Sequence, residues 1–151
     1  MPGTLHLDGF LPYRLSIASN RVSNVIATAY QSLFGLRIAE WRLIAVLAES
    51  DGMSQQALGI ATRMDKVMVS RAATALHDRG LVQRAPNPAD QRSHLLSLSK
   101  AGQDLYEQVS PKALALERQL FSGFSAEEVR QLRSMLERLE EATAAFEPQQ
   151  G

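Results

Sequence analysis

Lys66, Val67, Ser70, Arg71, Thr74 and His77 follow one another at intervals of one and three residues. At 100° per residue those intervals gather them on one face of a helix. The face begins with cations, continues with short hydroxyls and meets no carboxylate before Asp78. The major groove of B-DNA admits one α-helix, where Lys and Arg read guanine and apolar side chains touch the thymine methyl group. Ser and Thr serve base edges or phosphates. On an isolated helix the same set would read as a solvated surface. The neighbours change the balance: Ser54 and Gln55 open a short helix just before it, and a hairpin carrying Arg84, Asp90 and Arg92 follows.

These residues need elements to hold them. Ser54 can cap a helix reaching about Thr62, with Leu58 and Ile60 or Ala61 facing inward. Asp65 can cap the next, whose end is marked by Arg79 and Gly80 and whose inner face is Met68, Val69, Ala72, Ala73 and Leu76. Residues 81–85 and 94–98 read as two strands joined by the polar turn 86–92, the only β structure expected. Upstream, apolar residues every three or four positions from Leu11 to Leu33 predict one long helix ending near Gly35. A second helix from Ile38 to Glu49 is apolar on most sides and therefore buried. Downstream, Ser99 caps a fifth helix, which Pro111 is expected to bend. Ser125 and Glu128 form a capping box for a sixth. Its seam, Val129, Leu132, Leu136, Leu139, Thr143 and Phe146, can lie against the first helix or against a second chain.

Composition narrows the chemistry. The 151 residues include no Cys, which excludes thiol catalysis, thiol redox sensing and Cys-ligated metals. The three histidines are not at a spacing that pairs them on a helix face, so no metal site is expected. No phosphate-cradling glycine loop or catalytic serine motif occurs, and no carboxylate sits in an apolar setting suited to acid–base work. Nothing argues for an enzyme or a cofactor. The longest apolar run, Leu43 to Ala48, is far short of a membrane span, and the N-terminus lacks the features of a signal peptide. A cytoplasmic protein with no membrane partner is expected. The net charge of zero divides unevenly: residues 54–98 carry six basic and three acidic groups, and residues 99–151 six and nine. A basic middle matches contact with a polyanion there.

A second cluster lies upstream. Tyr13, Arg14, Ser16, Trp41 and Arg42 come from the first helix and the start of the second, which border the junction between the outer helices and the winged segment. An aromatic ring with one or two guanidinium groups suits a planar aromatic carboxylate. Alternatively, Arg14 and Arg21 form ion pairs with acidic residues of the last helix, such as Glu137 or Glu140.

Residues 53–102 resemble the winged helix–turn–helix of the MarR-type bacterial transcriptional regulators. The matching stretches are Asp65…Val69-Ser70-Arg71, Leu76…Arg79-Gly80-Leu81-Val82…Arg84, Pro86-Asn-Pro-Ala-Asp90-Gln-Arg92 and Leu98-Ser99-Lys-Ala-Gly102. The turn between the two central helices departs from the pattern, with Arg63 where Gly is usual, and Gly59 stands where Ala is more common. The resemblance implies a mainly α fold with a small β-hairpin wing across the whole chain as one domain. Residues 37–98 would form the winged DNA-binding region, and residues 1–36 and 99–147 a helical dimerisation region. It further implies a homodimer on double-stranded DNA, with Arg92 reaching the minor groove and Asp90 bracing the wing. The expected function is a dimeric repressor on a pseudo-palindromic operator, released by a small aromatic (phenolic) acid or its thioester. The alternative is a ligand-binding or protein-interaction dimer that no longer binds DNA; Lys66, Ser70 and Arg71 argue against it.

Overall fold

A computed structural model describes residues 3–147. A single 3-10 turn, Leu7–Gly9, precedes helix α1, Leu11–Phe34, which starts with Pro12 in its first turn and ends at Gly35. Helix α2, Ile38–Leu47, follows after a short corner. Its N-terminus is held by Glu40, whose carboxylate accepts the Arg37 backbone N–H at 2.8 Å. Leu43, Ile44 and Leu47 of α2 are fully or almost fully buried, as its apolar surface predicts.

Two capped helices come next. Ser54 Oγ accepts the Ala57 N–H at 3.1 Å and opens α3, Gln55–Thr62. Asp65 Oδ1 accepts the Met68 N–H at 2.8 Å and opens α4, Lys66–Asp78. Each cap satisfies a donor that the first turn of a helix otherwise leaves unpaired. Between the helices, Arg63 has φ 56°, the only non-glycine residue with positive φ among the described residues. A side chain there costs conformational energy, which explains why glycine is the usual occupant of this turn.

Strands β1, Val82–Pro86, and β2, His94–Leu98, form an antiparallel hairpin in which Val82 pairs Leu98 and Pro86 pairs His94. The first strand thus starts one residue later than its sequence suggests, because Leu81 is spent closing α4: its N–H donates to the Leu76 carbonyl. The hairpin is not the whole β structure. Met53 and Leu96 exchange two backbone hydrogen bonds, of 2.9 and 2.8 Å, so the residue before the Ser54 cap is bridged to the wing. Helix α5, Lys100–Leu120, is tied on by Ser99, whose hydroxyl donates to the Gly80 carbonyl and accepts the Gly102 N–H. Gly102 is buried, and a Cβ there would collide with the Leu81 carbonyl oxygen. That contact gives the Leu-Ser-x-x-Gly stretch its physical meaning.

The chain divides into two compact units, residues 1–110 and 111–151. In the first, α2, α3, α4 and the hairpin close on a core of Leu36, Leu43, Ile44, Leu58, Leu76 and Leu96. The second begins at Pro111, through which α5 continues, and contains α6, Ala126–Ala144. Ser125 and Glu128 cap α6 reciprocally, with bonds of 3.1 and 2.8 Å. No residue of α6 is buried.

Two inward assignments need correction. Ile60 and Ala61 are both exposed, Ile60 by 74%, because α3 presents only Leu58 to the core and Met64 of the following turn fills the adjacent space. Met68 is also exposed rather than inward, since the first turn of α4 runs past α2 and leaves it at the edge of a surface cleft.

Candidate nucleic-acid interface

Helix α4 turns Val69, Ala72, Ala73 and Leu76 into the core and leaves Lys66, Val67, Ser70, Arg71, Thr74 and His77 exposed. Ser70, Arg71 and Thr74 are therefore outside the core. The hairpin stands beside this helix, and between them runs a concavity of about 630 Å³. Ser54, Gln55, Lys66, Ser70, Thr74, Arg84, Asp90 and Arg92 all line it, so eight of the ten residues singled out for DNA share one groove. The Met53–Leu96 bridge ties the residue before Ser54 to the wing, which holds the start of α3 beside this groove.

The other two lie elsewhere. Val67 is exposed on α4 but lines neither this groove nor its neighbour. Arg71 belongs to the opposite flank of α4, in a separate cleft with Arg37 and Arg79. The helical wheel put Arg71 on the same face as Lys66. It could not show that the wing stands over one edge of that face.

The wing tip is braced through its own backbone. Asp90 Oδ1 accepts the Arg92 N–H at 2.9 Å, and Asn87 Oδ1 accepts the Ala89 N–H at 3.0 Å. The Asn87 side-chain amide also donates to Ser93 Oγ at 2.9 Å, closing the loop. Such local side-chain bonds fix a turn that lacks ladder hydrogen bonds. With the Asp90 carboxylate turned to the backbone, the exposed Arg92 guanidinium has no ion pair among the described residues. Asn87, Ser93, His94 and Gln56 also line the groove and were not singled out from the sequence. For Asn87 the signal was present, as Asn-Pro opens turns.

The second cluster is arranged differently. Trp41 is wedged between Tyr30 of α1, edge-on at 5.6 Å, and Tyr106 of α5, nearly parallel at 5.9 Å. Burial pushes the Tyr30 phenol above the ordinary tyrosine range. Tyr13, Arg14 and Ser16 lie on the first turns of α1. Tyr13 is roughly 25 Å along the helix axis from Tyr30, by the rise per residue. One chain therefore does not bring these three residues to Trp41 and Arg42.

This arrangement has clear counterparts. A family model described as the MarR family matches residues 34–93, from the end of α1 to the wing tip. The homoprotocatechuate degradative operon repressor of Escherichia coli is 33% identical over 98 residues, which is 65% of this chain and 66%, just under two thirds, of that repressor. A probable transcriptional regulator from Pseudomonas aeruginosa superposes with a TM-score of 0.81 at 32% identity, over 89% of this chain and 99% of that one. BpsR of Bordetella bronchiseptica, whose DNA binding is regulated by 6-hydroxynicotinic acid, gives a TM-score of 0.85 over 91% of this chain and 98% of its own. At 22% identity that likeness is one of fold. With residues 34–93 matched by that family model and 89% of the chain superposing on a 32% identical regulator, this chain belongs to the MarR family of transcriptional regulators.

Proposed function

We propose that this protein is a cytoplasmic homodimeric repressor that reads a pseudo-palindromic operator with α4 and the wing. The observation that carries this reading is the groove between them. Its outer lining is cationic or hydroxylic, from Lys66, Ser70, Thr74, Arg84 and Arg92, and Asp90 is occupied with the loop backbone. Two-fold symmetry places two such helices about one helical turn, roughly 10 bp, apart. The repressor role is supported by the E. coli relative.

A second copy is supported by apolar surface. Leu11, Leu15, Val22, Val25 and Leu33 of α1 are exposed, as are Met135, Leu136 and Leu139 of α6 and Phe146 beyond it. Monomers rarely leave that much apolar area in contact with water. Residues 1–36 and 99–147 are accordingly the proposed dimerisation region.

The effector we propose is a planar aromatic acid or its thioester, held by Tyr13, Arg14 and Ser16 together with Trp41 and Arg42. Since one chain separates the two groups, the pocket requires α1 of one protomer beside α2 of the other. Regulation of a fold relative by 6-hydroxynicotinic acid supports the ligand class. The DNA reading is tested by enriching a random-sequence duplex pool on the protein. It predicts a palindromic fragment whose affinity falls steeply with salt, because each neutralised phosphate releases counterions. Enrichment of nothing, or salt-insensitive binding, contradicts it. Calorimetry with benzoate, salicylate and cinnamate tests the effector, and Arg14→Ala or Arg42→Ala should weaken whichever acid binds.

A further inference from the structure

The flank of α4 away from the wing carries a second set of cations. A cleft of about 490 Å³ lies there, where the end of α1 and the start of α2 approach α4, and Arg37, Arg71 and Arg79 line it. Arg79 is committed: its guanidinium donates to the Gly35 and Phe34 carbonyls at 3.1 and 3.4 Å, closing the C-terminus of α1. Arg37 and Arg71 are exposed, and neither side chain forms an ion pair among the described residues. The one carboxylate in the cleft, Glu40, is buried and already accepts the Arg37 backbone N–H.

A helix seated in a major groove about 12 Å wide has a phosphate strand on each side. Lys66, Arg84 and Arg92 serve the wing side of α4; without Arg37 and Arg71, the other side would meet its strand uncompensated. We propose that Arg37, together with Arg71, grips the sugar-phosphate strand on the side of α4 away from the wing, so that the DNA-binding surface extends to the α1–α2 corner. Arg37 is well mounted for this. Its backbone is pinned by Glu40, and two residues earlier Gly35 is pinned by Arg79, itself the C-cap of α4. Little backbone freedom is lost when such a residue meets a phosphate. A small anion is a poorer occupant, because both guanidinium groups stand in solvent instead of inside an apolar pocket.

The inference rests on the DNA reading above, and its test separates the two. A duplex enriched from a random pool by the wild-type protein, and a scrambled duplex of equal length, are titrated by fluorescence anisotropy at salt concentrations from about 50 to 200 mM. With one Arg37 per protomer, Arg37→Ala should lower the slope of log affinity against log salt by about 1.8 for a dimer, equally on both duplexes. The wild type's advantage should then shrink about tenfold across that salt range. Arg37→Lys should restore the slope, since an ammonium neutralises phosphate as a point charge. An unchanged slope for Arg37→Ala beside a reduced one for Arg92→Ala overturns the role of Arg37 and leaves the DNA reading standing. Loss of binding that Lys does not restore also overturns it, by showing a structural effect. Failure of the wild type to enrich any duplex overturns both.

Discussion

The winged segment buries Leu43, Ile44, Leu58, Leu76 and Leu96 almost completely, whereas α1 buries only Tyr30 and α6 buries nothing. Both regions have regular apolar periodicity, so the contrast is not one of pattern. The winged segment has four short elements that pack on one another at angles, joined by caps, a bridge and a hairpin. Each long helix instead displays an apolar stripe that needs a surface of equal length. The first region carries its own core; the second has the makings of an interface.

The largest expected effect breaks the second region while sparing the first. Leu136→Glu puts a charge into the α6 stripe, and the protein should sediment as monomers or aggregates with DNA binding abolished. A soluble dimer with native affinity would remove α6 from the interface. The reverse experiment is Leu76→Ala in the winged core. It should lower folding stability by about 2–5 kcal/mol through lost burial and a residual cavity, read by urea denaturation, while the folded fraction stays dimeric. Smaller still is loss of one cap. Asp65→Ala should cost about 1 kcal/mol, a typical value for an N-cap, and fray the first turn of α4, where Lys66 sits. Affinity should drop there even where thermal melting barely changes.

Much of the winged region was legible because its boundaries are written in local chemistry. Ser54, Asp65, Ser99 and Ser125 each announce a helix start, and all four caps form. Gly80 and the polar turn bound the hairpin. What escaped was non-local. The Met53–Leu96 bridge joins residues 43 apart, and no periodicity marks it. The exposure of Ile60 and Met68 depends on which neighbour reaches them, not on their own spacing. Arg71 shares a wheel face with Lys66, yet the wing divides that face between two clefts. Arg37 gave no signal, because its cleft exists only where the α1–α2 corner meets α4. The effector cluster was drawn from the first helix and the start of the second, and one chain leaves Tyr13, Arg14 and Ser16 at the far end of α1 from Tyr30 and Trp41.

The central claim is that two copies of this chain, joined through the helices outside the winged segment, present paired α4 helices to one DNA duplex. Native mass spectrometry of the protein with its enriched duplex tests it most directly. The account predicts two chains per duplex, with the same two-chain species present before DNA is added. A single chain bound per duplex, or a stable monomer at micromolar concentration without DNA, would contradict it.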